Sequence, residues 1–412
     1  MQTLLLTICC FIASASCLAQ EHNDSTDIVS QQVGNVVDSV YVTTIKEQLD
    51  NLLDNDYFAQ TQIGLMVYDL TADSVLYTHN HRQILRPGSI MKLLTSITAL
   101  NKLGGNYNYL TSIYHTDYIV GHTLQGDLYC RGGFDPTFND KMMNQFISSI
   151  KNLGIDTIAG NIYADVTFKD DMPFGSGWCW DDDNFTLTPL IYNRTGDFMK
   201  ALVNKLAAEN IVFNHNVSSS KTPSKATIID SIATPIGLIL DRMLKQSDNL
   251  YAESMLYQLA ATIREGASAK DGISVIRNLL DSLGIDAKSY KIVDGSGLSL
   301  YNYLTAEIEC KLLRFAYKKP EIYQYLYPAL SVTGRDGTMQ KRMKGTNASN
   351  NVHAKTGTLT GVSTLAGYCT SANGNQLCFA IFNQGIMKGK EAHYFQNRIC
   401  QILTKCRGII RN

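Results

Sequence analysis

Arg86-Pro87-Gly88-Ser89-Ile90-Met91-Lys92-Leu93-Leu94-Thr95 joins a turn to an apolar helix. Pro-Gly closes what precedes it. Ser89 then opens a predicted helix to about Leu103, whose positions Met91, Leu94, Thr95, Thr98 and Leu103 suit burial against a sheet. Upstream, residues 63–70 and 75–77 are apolar runs split by the turn residues Thr71-Ala72-Asp73-Ser74, which predicts a β-hairpin. A short helix is expected before it, over 44–54. From about Asn106 the texture changes to short strand-like runs, aromatic residues and turns, as far as Ile229. Helical pattern resumes over 235–244, 250–263 and 273–283, and strands over 364–369 and 376–382 precede a last helix from about Glu391. The expected organisation is an α/β (α+β) domain, 44–105 and 230–412, interrupted by a β-rich inserted domain, 106–229.

The chain has 412 residues, beyond the roughly 250–300 at which one hydrophobic core stops growing, so two domains fit its length. A hydrophobic share of 45% argues against wholesale disorder. With 36 basic residues against 37 acidic, there is no overall field to attract nucleic acid or an anionic surface. The cations Lys388, Lys390, Arg398, Lys405, Arg407 and Arg411 read as the solvent face of a terminal helix. Residues 4–16 are apolar and rich in small side chains, too short to span a bilayer, and are followed by Cys17-Leu18-Ala19. Residues 1–19 therefore read as a secretory signal cleaved after Ala19, although a basic start is missing. Acylation of Cys17 as a lipoprotein is the weaker reading, because Ser14 stands where a large aliphatic is usual. Residues 20–43, rich in Asp, Ser, Asn, Gln and Val, read as a tether, and export makes the mature chain periplasmic.

Three short clusters carry chemistry. Ser-x-x-Lys occurs at Ser89/Lys92, Ser148/Lys151 and Ser218/Lys221, but only Ser89 follows Pro-Gly at the start of an apolar helix. Residues three apart on a helix share a face, so the Lys92 amine reaches the Ser89 hydroxyl. The helix start also aims unpaired N–H groups at anything bound to Ser89. Taken alone, Ser89 serves equally well as a helix cap. Ser247-Asp248-Asn249 precedes another helix, and in an extended loop Ser247 and Asn249 project the same way. A hydroxyl that relays a proton and an amide that holds a carbonyl need that arrangement, while N-capping by Asp248 or Asn249 is the plainer account. His353-Ala354-Lys355-Thr356-Gly357-Thr358 leads into an alternating strand. Lys355 and Thr356 there suit a carboxylate, and Gly357 lets a substrate backbone approach, unless this is an ordinary edge strand.

Ser-x-x-Lys, Ser-Asp-Asn and Lys-Thr-Gly in this order form the joint signature of β-lactamases and penicillin-binding proteins. The sequence resembles the penicillin-binding serine D-Ala-D-Ala peptidases, and more closely their class C low-molecular-mass group, the D-alanyl-D-alanine carboxypeptidase/endopeptidases. The stretches 86–95, 246–253, 294–299 and 353–359 carry the resemblance, with Gly126-Asp127-Leu128-Tyr129, 133–137 and Gly177-Trp178-Cys179-Trp180 inside the insert. It implies a β-lactamase/transpeptidase-like antiparallel sheet between helices, a peptidoglycan stem peptide as substrate, β-lactams as inhibitors and no cofactor. By the same resemblance Ser89 is the nucleophile and Lys92 its base. Ser247 passes a proton to the leaving nitrogen, Asn249 holds the substrate amide, and Lys355 and Thr356 bind the terminal carboxylate. The N–H groups of Ser89 and Thr358 form the oxyanion hole.

Two departures stand out. The interval from Lys92 to Ser247 is shorter than in the fullest relatives, which implies a reduced nested subdomain. Leu300 stands where relatives often place an arginine thought to contact the free end of the peptide side chain. Trp178, Trp180 and Asp181-Asp182-Asp183 either line that subsite or form an aromatic anchor with solvated acids. A serine β-lactamase and a non-catalytic wall-binding or antibiotic-sensing module are the competing functions. The first lacks the class A pairing of a Glu with an Asn four residues on; the second needs no proton-relay set. Nothing in the sequence marks an oligomeric state.

Signal removal leaves seven cysteines of ten: Cys130, Cys179, Cys310, Cys369, Cys378, Cys400 and Cys406. An odd count leaves at least one thiol unpaired, and no spacing suits zinc, so no metal is expected. If Asn373-Gly374 forms a two-residue turn, Cys369 stands opposite Cys378 as a close, non-hydrogen-bonded pair. A cross-strand disulfide and two small core residues are both compatible with that register.

Overall fold

The strand Gln62–Asp69 is buried along almost its whole length, so the sheet it joins has to be covered on both faces. The computed structural model describes residues 45–54, 60–182, 185–214 and 216–406; the signal and tether segments lie outside the described residues. In chain order the first elements are α1 (45–53), β1 (Gln62–Asp69), β2 (Ser74–His79) and α2 (Met91–Leu103). Next come β3 (Asn108–His115), β4 (Ile119–Val120), β5 (Thr123–Leu124), β6 (Leu128–Arg131) and α3 (Asp140–Asn152). Then follow β7 (Thr157–Ile158), β8 (Ile162–Asp165), α4 (Phe198–Ala208), β9 (Val212–Phe213), β10 (Val217–Ser219) and β11 (Thr227–Pro235). The helices α5 (Ile236–Lys245), α6 (Asn249–Ala261), α7 (Ala269–Ser282), α8 (Ala306–Tyr317) and α9 (Pro320–Ala329) come next. The chain closes with β12 (Ser331–Val332), β13 (His353–Leu359), β14 (Val362–Thr370), β15 (Gln376–Gln384) and α10 (Gly389–Lys405).

The main sheet has the order β12-β13-β14-β15-β1-β2, with every neighbouring pair antiparallel. Alternate residues of its central strands feed two cores. Leu365, Phe379 and Ile381 pack with Ile45 and Leu49 of α1 and with Ile399 and Leu403 of α10. Ala366 and Phe382 face the other way, into the layer built by α2 and α5 to α9. The expected antiparallel sheet between helices is therefore the fold.

Residues 108–235 form two further sheets, β10-β8-β6-β3-β11 and β4-β5-β7-β9. This segment was expected to be β-rich, yet it also carries the amphipathic helices α3 and α4. Its pairings explain them. β6 runs parallel to β8, and β5 to β7, and parallel neighbours need a crossover of a dozen or more residues. Helix α3 supplies that crossover, burying Met143, Phe146, Ile147 and Ile150 in the insert's own core.

The pairing of the two cysteines is corrected. β14 and β15 pair as Thr370↔Gln376, Cys369↔Leu377 and Tyr368↔Cys378, so five residues, not two, make the connection. Ser371 N donates to Asn375 O at 2.9 Å and Gly374 takes the left-handed φ of +90°, which together close that longer turn. A one-residue slip sends side chains to opposite faces of a sheet. Cys369 accordingly lies in the core against α10 and Cys378 in the core against α8. No disulfide joins them; Cys130, Cys310, Cys369, Cys378 and Cys400 are all free buried thiols.

Glu309 on α8 is fully buried, and neither carboxyl oxygen meets a hydrogen-bond partner among the described residues. Burial pushes its carboxyl up to about 8, from an ordinary 4.5. A raised acid stabilises the fold fully below the unfolded value, and that stability drains away as pH climbs from 4.5 toward 8. Glu309→Met is therefore expected to raise Tm by several degrees near pH 8 and by much less near pH 5. Thermal melts of both proteins across that range check it, and an equal shift at both ends sinks the idea.

Candidate active site

The nucleophile motif begins as a single 3-10 turn, Gly88–Ile90, that runs directly into α2. Pro87 occupies the N-cap position and no side chain caps this turn, so capping does not occupy the Ser89 hydroxyl. Lys92, one turn on, is completely buried and its Nζ donates to three oxygens. They are Ser89 Oγ at 3.0 Å, Asn249 Oδ1 at 2.7 Å and Ser296 O at 2.7 Å. Burial holds the Lys92 ammonium down to about 8, while the negative charges of Asp294, Glu253 and Asp248 pull it back up. A neutral amine fits this cage equally well. It donates to Asn249 and Ser296 and turns its lone pair to the Ser89 hydroxyl.

Ser247 and Asn249 both face this centre, but not because the loop is extended. Ser247 takes a left-handed φ of +59°, and Asn249 is the first residue of α6. Asp248, at the N-cap, makes no capping hydrogen bond. Its carboxylate accepts from Arg194 Nη1 at 2.5 Å and Arg242 Nε at 2.8 Å instead. Burial opposes the Asp248 charge, yet the two guanidiniums hold its carboxyl below the usual range. Arg194 comes from the insert and Arg242 from α5, so one carboxylate pins the insert to the loop that presents Ser247 and Asn249.

Lys355, Thr356, Gly357 and Thr358 lie on β13. Lys355 is also completely buried, with Nζ donating to Ser247 Oγ at 2.8 Å and Thr356 O at 2.6 Å. Burial pushes its ammonium well below the ordinary lysine value, and the nearby Lys92 charge adds to that. A carboxylate arriving here relieves both penalties. The Thr356 hydroxyl donates to Thr338 Oγ1 at 2.8 Å, which brings the 3-10 turn Gly337–Met339 to the same corner.

Gly357 lies hard against the nucleophile turn. A Cβ there would stand 2.9 Å from Ser89 N and 2.8 Å from Pro87 O. From the other side, a Cβ on Gly88 would sit 3.4 Å from Thr358 N, and Thr364 Oγ1 donates to Pro87 O at 2.6 Å. The N–H groups of Ser89 and Thr358 thus stand on touching backbones. All eight motif residues converge on one place. The other two Ser-x-x-Lys pairs do not: Ser148 and Ser218 are exposed, and Lys221 pairs with Glu265.

Beyond the motifs, Asp294, Ser296, Glu253 and Thr338 belong to the same neighbourhood. Glu253 was legible in principle, because it follows Asn249 by four residues and so shares its face of α6. Trp178 is an anchor, donating Nε1 to Asp294 Oδ2 at 3.2 Å and packing on Phe185, whereas Trp180 is 94% exposed. The Leu300 carbonyl accepts from Arg86 Nε at 3.0 Å.

Residues 45–193 and 185–406 match the D-Ala-D-Ala carboxypeptidase 3 (S13) family. The D-alanyl-D-alanine carboxypeptidase of Actinomadura sp. (strain R39) is 24% identical over 440 residues, covering 84% of this chain and 81% of that protein. The crystal structure of penicillin binding protein 4 (dacB) from Haemophilus influenzae superposes with a TM-score of 0.78. Its identity is 20%, with 85% of this chain and 97% of that one covered. The same protein complexed with a β-lactam gives a TM-score of 0.72 at 21% identity over 85% and 97% of the two chains. With the fold, the converging motifs and a match across nearly all described residues in agreement, this chain belongs to the D-Ala-D-Ala carboxypeptidase 3 (S13) family.

Proposed function

We propose that this protein is a serine D-Ala-D-Ala carboxypeptidase and/or endopeptidase that cleaves peptidoglycan stem peptides through an acyl-enzyme on Ser89. The observation that carries this reading is Lys92, a fully buried amine 3.0 Å from Ser89 Oγ and held down to about 8. Such a group has a usable neutral fraction near physiological pH, and in that form takes the hydroxyl proton as Ser89 attacks. The bond from Ser89 Oγ to the penultimate D-Ala carbonyl forms, and the amide C–N bond breaks. The N–H groups of Ser89 and Thr358 receive the developing oxyanion. Ser247, hydrogen-bonded to Lys355, delivers a proton to the leaving nitrogen. Lys355 and Thr356 hold the terminal carboxylate, Asn249 holds the substrate amide, and water then hydrolyses the ester. A β-lactam enters by the same acylation and stays on Ser89. Residues 44–105 and 230–412 make the peptidase domain and 106–229 its insert. After cleavage at Ala19 the chain works in the periplasm on a tether formed by 20–43.

Incubation of the purified protein with a fluorescent penicillin is expected to give a stable covalent adduct, read by gel fluorescence. Absence of the adduct sinks the enzyme reading, and rapid penicillin turnover replaces it with a β-lactamase. Mass spectrometry of digested muropeptides then separates loss of terminal D-Ala from loss of cross-links.

A further inference from the structure

Below Lys92 lies a second layer of buried carboxylates that the reaction as described does not use. Glu253, on α6, is 1% exposed and accepts from the backbone of one short turn. Its Oε1 receives Ser296 N at 2.8 Å and Gly295 N at 3.1 Å. The carbonyl of that same Ser296 receives Lys92 Nζ at 2.7 Å. Asp294, equally buried, closes the other half of the turn. It accepts from Gly297 N at 2.9 Å, Ser299 N at 2.7 Å and Asn302 Nδ2 at 2.7 Å. The turn is also pressed against the nucleophile: a Cβ on Gly297 would fall 1.9 Å from Gly88 O. Asn249, four residues before Glu253 on the same helix, holds Lys92 directly.

We propose that Glu253 is a positioning residue for Lys92, fixing the Gly295–Ser296 turn so that the Ser296 carbonyl aims the amine at Ser89. This rests on Lys92 being the base. The chemistry favours a carboxylate over any neutral side chain, since one oxygen pair takes two successive N–H groups with charge-assisted bonds. Two N–H donors drawn to one point turn the carbonyls that follow them outward: that of Gly295 receives Thr95 Oγ1 at 2.7 Å and that of Ser296 meets the amine. The titratable groups around Lys92 are Asp294 from the turn, Glu253 from α6, Asp248 from the loop before it, and Lys355 from β13. Burial and the Asp294 charge push the Glu253 carboxyl up, while the hydrogen bonds from Ser296 and Gly295 favour its charged form.

The test compares Glu253→Gln and Glu253→Asp with the wild type. Acylation by fluorescent penicillin is followed from pH 5 to 10 and normalised to the fraction of sites that label. Glutamine keeps the volume but loses the charge that favours protonated Lys92. The plateau rate of Glu253→Gln is expected to fall on the order of 10²-fold, with the acid limb moving about one pH unit lower. Aspartate keeps the charge but withdraws it by one methylene, so in Glu253→Asp the plateau falls while the limb stays. KM for a D-Ala-D-Ala peptide should hold, because Glu253 does not touch substrate. A residue needed only for folding would reduce the labelled fraction and leave the rate per labelled site alone. A per-site plateau at the wild-type value in either folded variant overturns the proposal, and Glu253→Asp decides alone if Glu253→Gln fails to fold. Failure of the wild type to label would instead remove the reading of the site itself.

Discussion

Replacing Ser89 by alanine is expected to abolish the covalent penicillin adduct, and replacing Lys92 by methionine to slow its formation by roughly 10²–10⁴-fold. The two losses share one origin. Lys92 Nζ and Ser89 Oγ are 3.0 Å apart, and the amine is completely buried beside that hydroxyl. Methionine keeps the unbranched stem and the packing of α2 while deleting the lone pair that accepts the proton. It also leaves Asn249 Oδ1 and the Ser296 carbonyl without their donor, so a modest drop in Tm accompanies the kinetic loss. Stopped-flow acylation together with melting curves separates these effects. Wild-type acylation rates in Lys92→Met would show that another group takes the proton.

The wild-type pH profile follows from the same residue. The working base is the neutral amine, so acylation should rise with pH and level off above about 8. Below that, each pH unit removes about nine-tenths of the neutral form and the rate falls about tenfold. An acid limb near an unperturbed lysine value would mean that Lys92 is hydrated in solution.

The parts of this site that the sequence discloses are those whose geometry is local. Ser89 and Lys92 lie three apart at a helix start, and Lys355 to Thr358 sit in a strand whose alternation is plain. Spacing alone therefore says which side chains share a face. The antiparallel sheet between helices was legible through the family resemblance that those motifs carry, not through spacing. What the sequence conceals is long-range. Asp248 looks like a helix cap because nothing local announces that Arg194, 54 residues earlier, and Arg242 take its carboxylate. The Cys369 register fails by one residue because Ser371 and Asn375 extend a turn that Asn373-Gly374 alone would have closed. The parallel pairing of β6 with β8 has no signature in either strand, so the crossover helix α3 between them reads as an exception rather than a requirement.

Gly357→Ala is expected to cost on the order of 10²–10³ in acylation rate while the protein stays folded. The added methyl would lie 2.2 Å from Thr364 Oγ1, 2.8 Å from Pro87 O and 2.9 Å from Ser89 N. The first neighbour is a side chain that could rotate away. The other two are backbone atoms of the nucleophile turn, and they have nowhere to go, because Gly297 already crowds Gly88 from the other side. Relief therefore comes from β13 edging outward, which carries the Thr358 N–H away from the Ser89 N–H and opens the oxyanion hole. β13 retains its full ladder to β14, so Tm should fall by only a few degrees. Adding Thr364→Ala to Gly357→Ala removes one of the three contacts and should not restore the rate. Gly389→Ala, whose Cβ meets nothing within 4 Å, should acylate like the wild type. Recovery in the double variant would place the obstruction at the Thr364 hydroxyl, and the backbone contact between β13 and the nucleophile turn would then not set the oxyanion hole.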